Sequence, residues 1–265
     1  MSLEIDGLDV LIEGDGPESI VMIHGWPDTY RLWGAQAEFF KDRYRCVRFT
    51  LPGFDIAKPR RAYSLEETIS IVKDIVERTC PGRKVILMLH DWGCVFGYQF
   101  AMRHPELVSK IVGVDIGDAG SREHLRSLSA KAKAMIVAYQ LWLAIAWRIG
   151  GRAGGWMTRW MVRTIRCPSD PRFIDSRMDY PYYIAWFKPR GLYFKMVKFE
   201  PLVPMLFIYG NRKPFLFHSP AWAEALAARP GNEVHAFETG HWVMTGQPRH
   251  FNEVVSGWLS GPDSP

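Results

Sequence analysis

The stretch Val85-Ile-Leu-Met-Leu-His-Asp-Trp-Gly-Cys94 constrains this chain more than any other. Val85 to Leu89 is a continuous apolar run of strand-forming residues, which is how a strand buried on both faces reads. It stops at His90-Asp91-Trp92-Gly93, after which Phe96, Gln99, Phe100 and Arg103 recur at helical spacing. A buried strand turning at once into a helix sets the residue at the bend above the sheet edge, at the helix N-terminus. Here that residue is Asp91. Two uses of an Asp fit the place: a helix N-cap, or a carboxylate nucleophile, ionised at neutral pH and needing no base to activate it. A carboxylate is suited to displacing a leaving group at an sp³ carbon, such as an epoxide oxygen or a halide.

The flanking sequence predicts a repeated strand–helix alternation. Leu8–Glu13 leads into the turn cluster Gly14-Asp-Gly-Pro17, so the chain is expected to open with a hairpin. Ser19–Ile23 reads as a short strand, followed by a helix with Trp33, Ala37 and Phe40 on one face, and then a strand over Arg45–Leu51. Ser64-Leu-Glu-Glu67 is a capping box opening a helix that carries Ile69, Val72, Ile75 and Val76. After the Asp91 bend comes another strand, Lys110–Ile116. This order implies a mostly parallel sheet with helices on both faces.

From Gly117 to about Pro201 the alternation fails. The segment is rich in Trp, Tyr, Arg and Met, and Gly150-Gly151 and Gly154-Gly155 read as helix breakers. It is expected to be a helical lid, residues 117–201, inserted into a core of residues 1–116 and 202–265. Its apolar stripe Leu141–Trp147, with Arg148 and Arg152 nearby, suits either burial on a hydrophobic substrate tunnel or a membrane surface. The sheet then resumes over Pro204–Gly210. A helix near Ala221–Ala228, a strand over Glu233–Phe237, Gly240-His241 and a helix over Pro248–Leu259 complete the chain.

Composition adds limits. At 265 residues the chain has room for one large domain with an insertion. The net charge of +5 comes without a Lys/Arg block interleaved with aromatics, so no nucleic-acid partner is expected. Cys46, Cys80, Cys94 and Cys167 lack metal-ligand or disulfide-framework spacing and read as free thiols in a reducing compartment. No signal peptide is read at the N-terminus, and no run reaches the roughly 18 apolar residues of a membrane span. A cytoplasmic location follows as the expectation; oligomeric state is not legible.

Three loops should meet at the carboxyl ends of the strands: His24-Gly-Trp-Pro27, the Asp91 bend and Gly240-His241. That ordered set resembles the epoxide hydrolase and haloalkane dehalogenase branch of the α/β-hydrolase fold, over nearly the whole chain. The resemblance implies an Asp nucleophile at Asp91 and a general base at His241. It implies an oxyanion hole from the backbone N–H groups of Trp26 and Trp92, and no metal or organic cofactor. The triad acid is often carried after Gly-x-x in the strand following the lid, where this chain reads Gly210-Asn-Arg-Lys213. The alternative place, the end of the strand after the nucleophile helix, holds Asp115, with Asp118 as the second choice. Epoxide hydrolases of this type use two lid tyrosines on the ring oxygen; Tyr139 matches the first, and Tyr183, with Tyr182 in reserve, the second. The His-Gly-Trp-Pro variant lacks the Asn that dehalogenases commonly use to hold halide, which favours a small hydrophobic epoxide as substrate. Haloalkane dehalogenation and a catalytically silent binding protein remain the other readings. The silent reading rests on Lys213 and on Leu89, which stands where the family usually has a small residue.

Overall fold

The computed structural model describes residues 1–188 and 196–261. Eight strands form one sheet: β1 (Ser2–Ile5), β2 (Leu8–Glu13), β3 (Glu18–Ile23), β4 (Tyr44–Phe49), β5 (Val85–His90), β6 (Val108–Val114), β7 (Met205–Gly210) and β8 (Glu233–Phe237). Their order across the sheet is β1-β2-β4-β3-β5-β6-β7-β8. The pairs from β4–β3 through β7–β8 are parallel, while β1–β2 and β2–β4 are antiparallel.

The expected opening hairpin is present but one element earlier. It joins β1 to β2 round Asp6-Gly7, which have φ of 52° and 72°. The Gly14–Pro17 cluster instead carries the chain from β2 to β3, which are not neighbours, because β4 lies between them. Turn residues mark where the chain bends, and the partner is chosen by the buried faces of strands far apart in sequence.

Alternation along the central strands divides the core. Val21, Ile23, Val85, Leu87 and Leu89 face one layer of helices; Ile20, Met22, Ile86 and Met88 face the other. The first layer contains α2 (Leu65–Thr79) and α3 (Trp92–Arg103); the second contains α1 (Gly34–Phe40) and α10 (Pro248–Leu259). Ser64 Oγ accepts from the Glu67 N–H, and the Glu67 carboxylate accepts from the Ser64 N–H, so the capping box forms as read.

Between β6 and β7 lie α4 (Arg122–Ser127), α5 (Ala130–Ile149), α6 (Gly151–Thr164) and α7 (Tyr180–Phe187), with no strand among the described residues. Helix α5 packs against both α6 and α7, whereas α4 packs on α8 (Pro220–Ala227). Gly150-Gly151 does separate two helices. Gly154-Gly155 does not break one: both lie inside α6, where a Cβ on Gly154 would come within 2.3 Å of the Ala146 carbonyl oxygen. Gly154 serves the close approach of α6 to α5, whereas a Cβ on Gly155 would meet Arg159 and Asp175. A short helix, α9 (Val243–Gly246), follows the β8 loop.

Candidate active site

Five parallel strands end at the same edge, and the side chains just beyond β3, β5, β6, β7 and β8 converge there. Asp91 follows β5 with φ 52° and ψ −122°, a backbone conformation uncommon for a non-glycine residue. Strained residues of this kind are held where function places them. Although Asp91 stands at the N-cap position of α3, its side chain caps nothing. Its Oδ1 instead accepts the Trp26 backbone N–H at 2.7 Å. Gly25 makes that approach possible: a Cβ there would lie 2.4 Å from both Asp91 Oδ1 and the Trp92 backbone nitrogen.

The other carboxylate oxygen, Oδ2, lies 3.4 Å from His241 Nε2. His241 Nδ1 is 2.5 Å from Asp115 Oδ2. Asp115, just past β6 and fully buried, also has positive φ, and its Oδ1 accepts the Gly210 N–H at 3.1 Å and a hydrogen bond from Lys213 Nζ. The structure therefore brings Asp91, His241 and Asp115 into one line. Asp118 lies outside it, accepting from the Ser219 N–H and from the hydroxyls of Ser121 and Ser219.

The electrostatics follow from burial and pairing. Burial alone would push the Asp91 carboxyl up, but His241 beside it, with His90 and the Trp92 N–H, holds it below its usual value. Burial likewise raises Asp115, and Lys213 and His241 more than reverse that. For His241, burial favours the neutral ring; Asp115 and Asp91 outweigh it and raise the imidazolium to about 9. At neutral pH the resting site is thus an ion pair, Asp91⁻ with His241⁺.

The two departures from the family pattern are both compensated locally. Leu89 is fully buried, and its methyls occupy the space a side chain at position 97 would need: a Cβ on Gly97 would lie 2.5 Å from Leu89 Cδ2. Lys213, at the place often given to the acid, forms an ion pair with the buried Asp115.

The helical segment closes over this edge, leaving the Asp91 and His241 side chains 13% and 15% exposed. Tyr182 packs edge-on against Trp26 (5.8 Å) and Trp92 (5.3 Å), and Tyr139 packs edge-on against Tyr182 (6.0 Å). Tyr183 instead stacks on Trp147 at 4.2 Å. Of the pair, Tyr182, the reserve choice, is thus the one in contact with Trp26 and Trp92; neighbouring helical residues point about 100° apart.

Several residues enter the site that sequence reasoning missed. Asp179, buried just before α7, accepts from the Trp26 indole N–H at 2.7 Å and lies 2.5 Å from the Thr158 hydroxyl. That hydroxyl also bonds the Gly154 carbonyl. Burial holds the Asp179 carboxyl well above the usual range, against the hydrogen bonds from Thr158 and Trp26 that favour the carboxylate. Asp28, the residue after the His-Gly-Trp-Pro turn, accepts from the Trp242 indole at 2.9 Å and from Ser169, and burial raises it to about 6. Its only sequence signal was its place beside that turn. Among the described residues no group of three or more His, Cys, Asp or Glu is arranged to hold a metal ion.

A strained acid at a strand–helix bend, a His after the last strand and backbone donors from the loop after β3, all on a mostly parallel sheet, define an α/β hydrolase. Residues 20–254 match the Alpha/beta hydrolase family, and the chain belongs to it. Among curated relatives, it is 34% identical over 110 residues to "Epoxide hydrolase 1" of Caenorhabditis elegans, covering 40% of this chain and 27% of that protein. It is 28% identical over 127 residues to "Probable oxidoreductase EphD" of Mycobacterium tuberculosis, covering 45% and 21%. The chain thus spans only about a quarter of the length of those relatives. A longer match, 21% identical over 261 residues, reaches 91% of this chain and 71% of "Epoxide hydrolase 3" of Xenopus tropicalis. Among solved structures, an epoxide hydrolase of Bacillus megaterium in complex with an inhibitor superposes with a TM-score of 0.74 at 19% identity, covering 98% of this chain and 99% of that one.

Proposed function

We propose that this chain is an epoxide hydrolase acting through a covalent ester on Asp91, with residues 117–201 as its lid. The observation that carries the reading is the Asp91 carboxylate. It caps no helix, its Oδ1 rests on the Trp26 N–H, and its Oδ2 faces His241 beneath a pair of tyrosines.

Asp91 Oδ2 attacks an epoxide carbon, the ring C–O bond breaks, and the ring oxygen takes a proton from Tyr182 or Tyr139. Gln140 donates to the Tyr139 hydroxyl oxygen at 3.3 Å. Esterification removes the charge of Asp91, one of the two anions holding His241 protonated, so the imidazolium releases its proton and the phenolate is restored through solvent. The neutral His241, oriented by Asp115, then takes a proton from water attacking the ester carbonyl. Charge on Oδ1 meets the N–H groups of Trp26 and Trp92; an oxyanion donor of this kind is worth about 3 kcal/mol. His241 returns the proton to the departing diol oxygen, and the Asp91 carboxyl gives its own to His241, which regenerates the ion pair.

A halide reading is less well supported, because the Trp26 indole N–H is already committed to Asp179. The substrate class is a small hydrophobic epoxide, and the four free cysteines support a reducing, cytoplasmic setting. Incubation of His241→Gln with aryl and alkyl epoxides should give intact protein heavier by the mass of one epoxide. Asp91→Ala should give no adduct. A single turnover in heavy-oxygen water should label the Asp91 peptide and leave the first diol unlabelled. Diol formation with the label in the diol alone would overturn the ester mechanism, and absence of turnover on any epoxide or haloalkane would leave a silent fold.

A further inference from the structure

The outer face of the lid carries a surface that the reaction does not use. Helices α5 and α6 run back to back from Gly150-Gly151, with the Trp142 and Trp160 rings 5.0 Å apart and the Trp142 indole donating to the Met157 carbonyl. Leu143, Ala144 and Ala146 of α5 and Met161 and Val162 of α6 are buried inward. The opposite stripes expose Ile145 (41%) and Ile149 (55%), one turn apart on α5, and Trp156 (56%) and Trp160 (43%), one turn apart on α6. Single exposed apolar side chains need no explanation; four large ones on two helices packed against each other do.

The side chains of α5 and α6 carry charge of one sign. Between Glu123 and Asp170 the chain has no acidic residue, while Lys131, Lys133, Arg148, Arg152, Arg159, Arg163 and Arg166 all fall there. Arg148, Arg152 and Arg163 are exposed beside the apolar stripes, and no ion pair involves them among the described residues.

We propose that this lid face docks on the surface of a bilayer rich in anionic phospholipid. Indole rings are favoured at the headgroup level, and Arg beside them reaches lipid phosphate while its stem stays on apolar surface. A cationic, unpaired rim round an apolar centre is the combination that an anionic interface attracts. The same rim disfavours a second copy, because a two-fold contact through this face would set arginine against arginine. No helix among the described residues is long and apolar enough to cross a membrane, so the association is peripheral. The inference does not depend on the reaction proposed above.

The test is sedimentation of the purified chain with vesicles of phosphatidylcholine alone and with about 30 mol % phosphatidylglycerol, at low and high salt. Binding should require the anionic lipid, fall with salt, and shift tryptophan emission to the blue. Trp156→Ala/Trp160→Ala and Arg152→Glu/Arg163→Glu should each weaken partitioning about tenfold or more. Lys84→Glu/Arg249→Glu, an equal charge change at exposed sites on the core, should not. All these positions are exposed, and circular dichroism melts check that each variant is folded. Equal binding to neutral vesicles, or equal loss in the core variant, would overturn the proposal. So would a dimer in solution that the tryptophan variant dissociates, since that would give the face to a second copy.

Discussion

Asp115 holds two cations at once. His241 Nδ1 lies on its Oδ2 and Lys213 Nζ on its Oδ1, with the lysine side chain 6% exposed. Burial lowers the Lys213 ammonium, and Asp115 offsets only part of that. Lys213 therefore dilutes the pull of Asp115 on His241 and makes the ring easier to deprotonate. Lys213→Met should move the alkaline-rising limb of turnover, which reports the neutral base, to higher pH and lower turnover at neutral pH several-fold. It should also cost about 2 kcal/mol of stability, because Asp115 keeps His241 and the Gly210 N–H but loses one charged donor. A pH–rate profile superimposable on that of the parent would show that His241 does not feel this cation. At this scale Asp91 and His241 were legible because each follows a strand in a recognisable order. Asp115 was legible only as one of two choices, since which acid reaches an imidazole depends on loop paths. Tyr183 was preferred to Tyr182 without a periodic signal behind the choice, because adjacent aromatic residues in a short apolar helix give no periodicity to say which way each points.

The strand β5 and the helix α3 meet through Leu89 and Gly97, and their fit decides whether the bend at Asp91 can form. Alanine normally favours a helix interior over glycine by about 1 kcal/mol. Here the added methyl would enter Leu89, and overpacking costs about 1–3 kcal/mol. Gly97→Ala should thus destabilise the parent, yet become neutral or stabilising once Leu89→Ala has emptied the space. Urea unfolding of the four proteins gives the coupling; an equal effect of Gly97→Ala in both backgrounds would remove this account of the bend. The alternating elements were legible because buried strands and capped helices carry local signals, as the Ser64–Glu67 box does. The pairing of β2 with β4 and the place of Gly154-Gly155 inside α6 were not, because both are set by contacts distant in sequence.

Across the whole molecule, the buried groups give stability a defined dependence on pH. His24, His90 and His218 are lowered by burial to about 4, 3 and 4. For His24 the cause is visible: its Nε2 accepts the Leu51 N–H at 2.8 Å, so that nitrogen cannot carry a proton. Between about pH 4 and 6.5 the unfolded chain binds protons on these three rings that the native state refuses, so stability rises with pH. Asp28, raised to about 6 by burial, holds a proton in the native state over most of the same window, and the buried Asp179, also raised, acts in the same sense; both oppose the rise. Above about 6.5 the three rings are neutral in both states. His241, raised to about 9, then keeps a proton that the unfolded chain has lost, so stability falls as pH increases. Each such proton contributes a slope of about 1.4 kcal/mol per pH unit. Stability should therefore peak near pH 6.5, and His241→Gln should flatten the decline between about pH 7 and 9. Denaturant unfolding across that range checks both; a decline unchanged in His241→Gln would mean that the Asp91–His241–Asp115 ion pairs do not hold the imidazolium as the geometry requires.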